Sequence, residues 1–259
     1  MIANATCNRM KELKLPGMAA EFSRQLENPE QFKGLNFEER FALIVDAEYS
    51  RRKSNRITNL LKEAGFEQKF ASIFDINYEA GRKLDKDLIL RLATCEYIKE
   101  ANNVFVIGAA GCGKTYLSNA LGVEACKNCL RTKFIRLSDF YLEAEVARQA
   151  GADKYTKCIK SFAKNKILII DEWLLVKPTY DQKTMLLDLL HSRRKKSSVI
   201  FCSQYPQDEW YNQLGGREAP LVDSILDRIS HNAYEIDIVG VDPDTDISMR
   251  EYYGFNAKA

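Results

Sequence analysis

The sequence has no long hydrophobic run and no recognisable export signal. Its longest apolar stretches, such as Val104–Ile107 and Ile167–Ile170, are far shorter than the roughly 20 residues that a membrane-spanning helix needs. Met1–Met10 lacks the apolar segment of a secretory signal. We therefore expect a soluble, cytoplasmic protein that makes no use of a membrane.

The sequence also lacks an excess of one charge and a regular cysteine framework. Lysine and arginine number 38 against 36 aspartate and glutamate, which gives a net charge of +2. A nearly neutral chain attracts polyanions only through local patches. Seven cysteines, an odd number, are scattered from Cys7 to Cys202, which is typical of reduced thiols. The two histidines, His191 and His231, are near no evident nucleophile.

The pattern of apolar residues changes along the chain, which indicates two domains. Before residue 75 the apolar residues recur at helical spacing, with Asn36 as a helix N-cap and Gly65 as a stop. The periodicity then fades between Phe74 and Lys86, which predicts a linker. We expect a small all-helical domain over residues 1–75 and a second domain over residues 76–259.

The second domain has the pattern of an α/β fold. A helix is predicted from Lys86 to Ala101, and five short apolar runs alternate with helical stretches after it. Near-continuous apolar strands separated by helices predict a parallel sheet that is covered on both faces. The predicted strands are Asn103–Ile107, Lys133–Leu137, Ile167–Asp171, Ser198–Ser203 and Tyr234–Ile238.

A glycine-rich loop follows the first of these strands. Residues 108–115 fit the pattern G-x-x-x-x-G-K-[ST], and a helical run from Tyr116 to Cys126 follows. In such a loop, backbone N–H groups and the helix N-terminus hold phosphate oxygens. Lys114 would reach the β- and γ-phosphates, and the Thr115 hydroxyl would hold Mg²⁺. The predicted ATP-binding residues are Gly108, Ala109, Ala110, Gly111, Cys112, Gly113, Lys114, Thr115 and Tyr116.

Two carboxylates end the apolar strand at Ile167–Ile170. Ligands bind at the carboxyl ends of strands in open α/β sheets, so Asp171 is predicted to hold Mg²⁺. Glu172 follows directly and is predicted to polarise the attacking water. Together with the phosphate loop, this pair predicts ATP hydrolysis.

Further candidates lie later in the chain. Gln204 follows the fourth strand, where a polar side chain contacts the γ-phosphate or the attacking water, or only ends a strand. Arg228 either reaches the nucleotide of a neighbouring subunit or forms a surface ion pair with Asp227 or Asp223. Two basic clusters could contact DNA, a partner protein or only water. They are Arg51, Arg52, Lys53 and Arg56, and Arg193, Arg194, Lys195 and Lys196.

Eight segments spread over nearly the whole chain carry a family resemblance. They are Leu13–Ala19, Phe37–Phe41, Glu48–Arg52, Leu61–Phe66, Ile169–Glu172, Ser203–Gln204, Asp227–His231 and Ser248–Arg250. With the phosphate loop they resemble the IstB-type ATPases of bacterial insertion sequences, which are relatives of the helicase loader DnaC within the AAA+ class. The N-terminal segments and the two last ones are more specific than the phosphate loop.

The resemblance implies an AAA+ P-loop NTPase with a five-stranded parallel sheet, usually in the order 5-1-4-3-2. It also implies homo-oligomers with ATP sites between subunits. By this similarity Arg228 is the finger that reaches a neighbour's ATP, Arg250 is the second sensor arginine, and Gln204 is at the first sensor position, where relatives often have Asn. Ser138–Ala163 is similar to a segment in which helicase loaders and initiators insert an extra helix.

The function that the resemblance implies is ATP-dependent assembly on duplex DNA in support of a separate transposase. Three alternatives stay open. The first is a helicase loader of the DnaC type, which acts on single-stranded DNA. The second is a P-loop kinase for small molecules, although no lid with arginines is evident. The third is a scaffold that binds ATP without turnover, which Glu172 argues against.

Overall fold

The computed structural model describes residues 2–78, 82–216, 220–230, 233–240 and 249. They form two compact units, Met1–Asn59 and Leu60–Ala259. The predicted division into functional domains at residue 75 stays a prediction. No helix among the described residues is long and apolar enough to cross a membrane.

The first unit is helical, as its periodicity predicts. Helices α1 (Ile2–Glu12) and α2 (Pro16–Glu27) precede the long helix α3 (Phe37–Ala64). The predicted cap of α3 is present, because the Asn36 side chain accepts from the Glu39 amide at 2.9 Å and the Glu39 carboxylate accepts from the Asn36 amide at 2.8 Å. These reciprocal bonds form a capping box, which satisfies two N–H groups at the helix start.

One buried carboxylate connects two helices of the first unit. Glu48 on α3 accepts the amide N–H groups of Gly17 and Met18 at 2.7 and 3.3 Å, and it accepts from Arg52 Nε at 2.8 Å. Arg52, together with these amides, holds the pKa of Glu48 below its ordinary value. A Cβ at Gly17 would come within 2.8 Å of Glu48. The segments Leu13–Ala19 and Glu48–Arg52 therefore meet in a structural contact.

The second unit is built around a six-stranded sheet. Its strands are β1 (Arg82–Lys83), β2 (Asn103–Gly108), β3 (Thr132–Arg136), β4 (Ile167–Trp173), β5 (Ser198–Ser203) and β6 (Ala233–Gly240), in the order β1-β6-β2-β5-β4-β3. Strands β2 to β6 are mutually parallel. Numbered among themselves, they have the predicted order 5-1-4-3-2.

Helices cover both faces of this sheet. Alternate residues of each strand point to opposite faces, and both faces are apolar. On β2, Val104 and Val106 belong to one hydrophobic cluster, and Phe105 and Ile107 belong to the other. The helices are α4 (Lys86–Ala93), α5 (Lys114–Lys127), α6 (Leu137–Gln149), α7 (Ala152–Ala163), α8 (Tyr180–Arg193), α9 (Trp210–Gln213) and α10 (Pro220–Ser230). The result is a three-layer α/β unit with two cores.

Three details differ from the sequence-based expectations. The predicted five-stranded sheet has a sixth, two-residue strand, because β1 pairs antiparallel with the end of β6. Strand β1 lies within the segment that was predicted as a linker. The helix predicted to reach Ala101 ends at Ala93, since Cys95 has a left-handed φ of 65°.

The segment Ser138–Ala163 contains most of two helices, α6 and α7, which Gly151 separates.

Candidate active site

The glycine-rich loop leaves the carboxyl edge of the sheet, by which we mean the edge where the parallel strands end. Its glycines take conformations that other residues adopt at a cost. Gly111 and Gly113 have φ values of 79° and 102°, and a Cβ on Gly113 would clash with Arg82 at 2.5 Å. A Cβ on Gly108 would come within 2.6 Å of the Ile238 carbonyl oxygen. The loop then runs directly into helix α5, whose N-terminus attracts anions.

Lys114 is the first residue of α5 and is only 8% exposed. Its ammonium group donates to the carbonyl oxygens of Gly108 and Ala109 at 2.8 and 2.7 Å. The loop thus holds the cation beside its own backbone, where phosphates would be bound. Phosphate oxygens can replace these two carbonyl acceptors when a nucleotide enters.

Thr115 and Asp171 bring two oxygen donors together. The Thr115 hydroxyl donates to Asp171 Oδ2 at 2.7 Å, and Asp171 is 5% exposed. A hydroxyl and a carboxylate are suitable Mg²⁺ ligands when nucleotide phosphates and waters complete the octahedron. The residues present therefore fit a Mg²⁺ ion held by Thr115 and Asp171.

Strand β4 is irregular where its carboxylates begin. Its register with β5 shifts between Ile170 and Trp173, and Glu172 has a left-handed φ of 56°. A bulge of this kind redirects side chains at the end of a strand. The Glu172 amide donates to Asp171 Oδ1 at 2.8 Å, which fixes the Asp171 carboxylate. The Glu172 side chain is 40% exposed, so it is accessible to water.

An arginine that the sequence reasoning missed contacts Glu172. Arg136 ends strand β3, opposite Asp171 in the register, and its Nε is 3.8 Å from Glu172 Oε1. Its Nη2 is 3.3 Å from Glu67 Oε2. Glu67, and secondarily Glu172, raises the pKa of Arg136. Arg136 ends strand β3, the neighbour of β4. Only the order of the strands in the sheet shows that these two strand ends are adjacent, so the sequence alone gives no signal for this contact.

A cavity of about 620 Å³ opens beside the loop, a size typical of a nucleotide or cofactor site. One wall consists of five of the predicted ATP-binding residues, namely Gly111, Gly113, Lys114, Thr115 and Tyr116. The sequence reasoning missed the other wall, which consists of Gln68, Asp75, Ile76, Asn77, Arg82 and Met249. Arg82 donates to the Cys112 carbonyl, and the Met249 amide donates to the Gly111 carbonyl at 3.0 Å. These contacts fix the loop on the side of the cavity.

The remaining predicted loop residues are distributed around this cavity. Ala109 and Ala110 are exposed at the loop tip, whereas Cys112 is buried beneath it. Tyr116 lines the cavity, and its hydroxyl accepts from the Ser72 amide at 3.1 Å.

Gln204 follows strand β5 at the same edge. Ser203 fixes this strand end, because its hydroxyl donates to the Trp173 carbonyl at 3.2 Å and accepts from the Tyr205 amide at 3.0 Å. Gln204 itself is exposed. It is therefore near the carboxylates in the sheet, with its side chain accessible.

Arg228 lies at the other end of the sheet. It is near the end of α10, and the neighbouring Ile229 carbonyl accepts from Asn103 Nδ2 at 2.9 Å, where β2 begins. Five residue steps along β2 separate Asn103 from Gly108, about 17 Å at roughly 3.3 Å per step. Arg228 therefore does not belong to the phosphate site of its own chain. The other predicted sensor, Arg250, lies outside the described residues, as does His231.

Some side chains of the two basic clusters are bound within the chain, and others are exposed to solvent. In the first, Arg52 is bound to Glu48 and also donates to the Lys14 carbonyl at 3.0 Å, and Lys53 is exposed. In the second, Arg193 is 2% exposed and is bound to backbone carbonyls. Arg193 is therefore not available to a DNA surface.

Comparisons with known proteins show the family to which the chain is similar. A family model described as IstB-like ATP binding protein matches residues 8–245. A protein of Sinorhizobium fredii, y4pL, whose name describes it as an insertion sequence ATP-binding protein, is 30% identical over 240 residues. That match covers 93% of this chain and 96% of the relative.

Solved structures share the fold. DnaI aligns with a TM-score of 0.53 at 18% identity over 71% of this chain and 92% of its own. The DnaC helicase loader aligns with a TM-score of 0.51 at 18% identity over 60% of this chain and 88% of its own. The second unit thus has the AAA+ P-loop NTPase fold.

Proposed function

The chain belongs to the family of IstB-like ATP-binding proteins, and on this basis we propose that it hydrolyses ATP, assembles on duplex DNA and assists a separate transposase in choosing its target. The observation that carries the hydrolytic part is the grouping of Lys114, Thr115, Asp171 and Glu172 at one edge of the sheet.

Each of these residues has a distinct task in hydrolysis. Lys114 contacts the β- and γ-phosphates after leaving its loop carbonyls. Thr115 and Asp171 hold Mg²⁺, which when bound neutralises charge on the phosphates. Glu172 is exposed at the rim and orients the attacking water, and Arg136 keeps its carboxylate beside the site. Gln204 makes a further polar contact with the γ-phosphate or the water.

The position of Arg228 supports a homo-oligomer. An arginine that neutralises the transferred phosphoryl group must touch it, yet Arg228 is at the opposite edge of the sheet from its own Lys114. It can reach a nucleotide only on a second copy of the chain. Turnover then depends on assembly, and Arg250 is proposed as the second sensor of the same interface.

The DNA and transposase parts rest on the family. Relatives such as y4pL are named for insertion sequences, which are DNA elements that a transposase moves. Exposed basic residues, among them Lys53 and Lys196, are available for DNA phosphates, whose neutralisation supplies most non-specific affinity.

The hydrolytic proposal is tested by Glu172→Gln. We expect turnover to fall about 10²–10⁴-fold, because a positioned base for the attacking water is lost, while ATP binding changes little. Single-turnover hydrolysis and equilibrium nucleotide binding measure the two effects. The matched control is Glu67→Gln, which removes the other carboxylate partner of Arg136. Unchanged turnover in Glu172→Gln would remove Glu172 from the chemistry.

The DNA proposal is tested by binding of labelled duplex and single-stranded DNA with ATP, with ADP and without nucleotide. Particle size is followed in the same samples. Large ATP-dependent assemblies on duplex DNA are the expected result. A preference for single strands with small complexes would instead favour helicase loading, the activity named for DnaC. Neutralising Lys53 or Lys196 should lower the slope of log K against log salt if that residue contacts a phosphate.

A further inference from the structure

Arg82 is a second cation in the wall of the cavity beside the phosphate loop. It begins strand β1, whose backbone is fixed by antiparallel pairing with the end of β6. The charged side chains that line the cavity are Lys114, Arg82 and Asp75, and Asp75 is exposed to water. The local charge of the cavity is therefore positive, which attracts an anion.

The Arg82 guanidinium lies directly against the backbone of the phosphate loop. Its Nη1 donates to the Cys112 carbonyl, and its Nη2 donates to the Asn77 carbonyl at 3.4 Å. A Cβ on Gly113 would be only 2.5 Å from the same Nη1. The guanidinium is thus beside the loop residue that directly precedes Lys114, in the wall of the cavity.

The acceptors of this guanidinium are of a kind that a phosphate can replace. Lys114 and Arg82 both donate to carbonyl oxygens of the loop, which are neutral. Hydrogen bonds between arginine and phosphate are shorter and stronger than bonds between neutral groups, and the planar guanidinium can contact two phosphate oxygens at once. Both side chains can therefore exchange a loop carbonyl for a phosphate when a nucleotide enters.

The two cations are placed for different parts of the phosphate chain. Lys114 is the residue proposed to contact the β- and γ-phosphates. Arg82 is in the wall that also contains the apolar side chains of Ile76 and Met249, which suit a flat base better than a phosphate. The phosphate nearest to the base is the α-phosphate. We propose that Arg82 binds the α-phosphate of the nucleotide held by its own chain.

This inference rests on the proposed function, because it requires that the loop binds a nucleotide, but it requires neither hydrolysis nor DNA. ATP and ADP both contain the α-phosphate, and hydrolysis leaves it unchanged. A contact of this kind is equally strong in the ground state and in the transition state, so it contributes to affinity and leaves the rate of the chemical step unchanged.

The first experiment measures nucleotide binding by the full chain in titration calorimetry. In Arg82→Ala the dissociation constants of ATP and ADP should rise by the same factor, about tenfold, as expected for one hydrogen bond to a charged group. The KM for ATP should rise by the same factor while kcat stays unchanged. The matched control is Lys83→Ala, because Lys83 is the exposed residue of the same strand, and it should keep wild-type affinity. Weaker ATP binding with unchanged ADP binding would indicate the γ-phosphate and overturn the proposal.

A stereochemical probe separates a direct contact from support of the loop. The two diastereomers of adenosine 5′-O-(1-thiotriphosphate) have sulfur at different non-bridging positions of the α-phosphate. Sulfur accepts hydrogen bonds more weakly than oxygen, so the wild-type chain should prefer one diastereomer by about 3–10-fold. Arg82→Ala should lose most of this preference. If Arg82 only supported the loop or stacked on the base, both diastereomers would bind more weakly with an unchanged preference, and the proposal would be wrong.

Two further variants keep the test decisive if Arg82→Ala does not fold. Arg82→Lys keeps the charge, whereas Arg82→Gln keeps N–H donors for a loop carbonyl without the charge. We expect Arg82→Lys to bind ADP more tightly than Arg82→Gln, and the reverse order would show that support of the loop is the role of Arg82. A wild-type chain that bound ATP without hydrolysing it would refute the hydrolytic part of the proposed function, while these binding measurements would still decide the contact.

Discussion

The two edges of the parallel sheet differ in the partners that their charged side chains have within one chain. At the carboxyl edge, Lys114 is bonded to loop carbonyls, and Thr115 is bonded to Asp171. At the amino edge, by which we mean the edge where the parallel strands begin, Arg193 and Arg228 donate to backbone carbonyls, but each keeps an Nε–H without an acceptor among the described residues. The first edge can bind a ligand by exchanging internal bonds, whereas the second offers donors from which a group outside the chain can accept.

Under the proposed function, this difference makes ATP turnover depend on the assembly of several copies of the chain. Groups that already satisfy one another keep their geometry without a ligand, so the phosphate site is ready in an isolated chain. Groups left without acceptors are costly when buried, so a group that accepts from them would stabilise the chain. We expect substitutions at the carboxyl edge to remove chemistry with little loss of stability, and substitutions in the wall of the amino edge to do the reverse.

Among the variants that compare the two edges, the largest expected effect is that of Lys114→Met. Turnover should fall about 10²–10³-fold, because a preorganised cation that faces the phosphates is lost. The free energy of unfolding should change by about 1 kcal/mol or less, since the carbonyl of exposed Ala109 can bond to water instead. Urea unfolding and nucleotide titration measure the two quantities. A loss of several kcal/mol would show that Lys114 stabilises the loop. The expected difference between the two edges would then be wrong.

Arg193→Met should show the opposite balance. Methionine keeps much of the buried stem but leaves the carbonyls of Phe162, Asn165 and Ser198 without their donor, so we expect a loss of about 2–4 kcal/mol in unfolding free energy. Lys196→Met, on the exposed part of the same run, should stay within about 0.5 kcal/mol. Equal unfolding midpoints for the two variants would mean that water satisfies these carbonyls equally well.

The sequence predicts the carboxyl edge far better than the amino edge, for a physical reason. The phosphate loop, the strands and the cap at Asn36 depend on residues that are close in sequence, where spacing and glycine preferences are sufficient. Strand β1 exists only because Arg82 and Lys83 pair with the distant end of β6. The burial of Arg193 likewise depends on how α7, α8 and β5 pack. A basic run gives no sign that one of its members faces inward.

The residues around the predicted nucleotide site show the same limit of sequence-based prediction. Glu172 was predictable because it follows Asp171 in the chain. Arg136 was not, because its contact with Glu172 depends on β3 and β4 being neighbours with Arg136 opposite Asp171. The far wall of the cavity, around Asn77 and Arg82, lies in a segment whose pattern predicts only a linker.

The smallest expected effect is that of Gln204→Leu, and it tests how complete the carboxyl edge is. The Gln204 side chain is exposed, whereas buried Ser203 fixes the end of β5 through the Trp173 carbonyl. A neutral amide that joins the site only when ATP is present should contribute about tenfold to turnover or less, roughly 1 kcal/mol. Ser203→Ala should instead lower the unfolding free energy by about 1 kcal/mol. Steady-state turnover and urea unfolding of both variants distinguish a contact of Gln204 with the ligand from a structural role of Ser203 at the end of β5. If Gln204→Leu lowered turnover as much as Glu172→Gln, the carboxyl edge would depend on ligand-induced closure, and the two edges would differ less than their internal hydrogen bonds indicate.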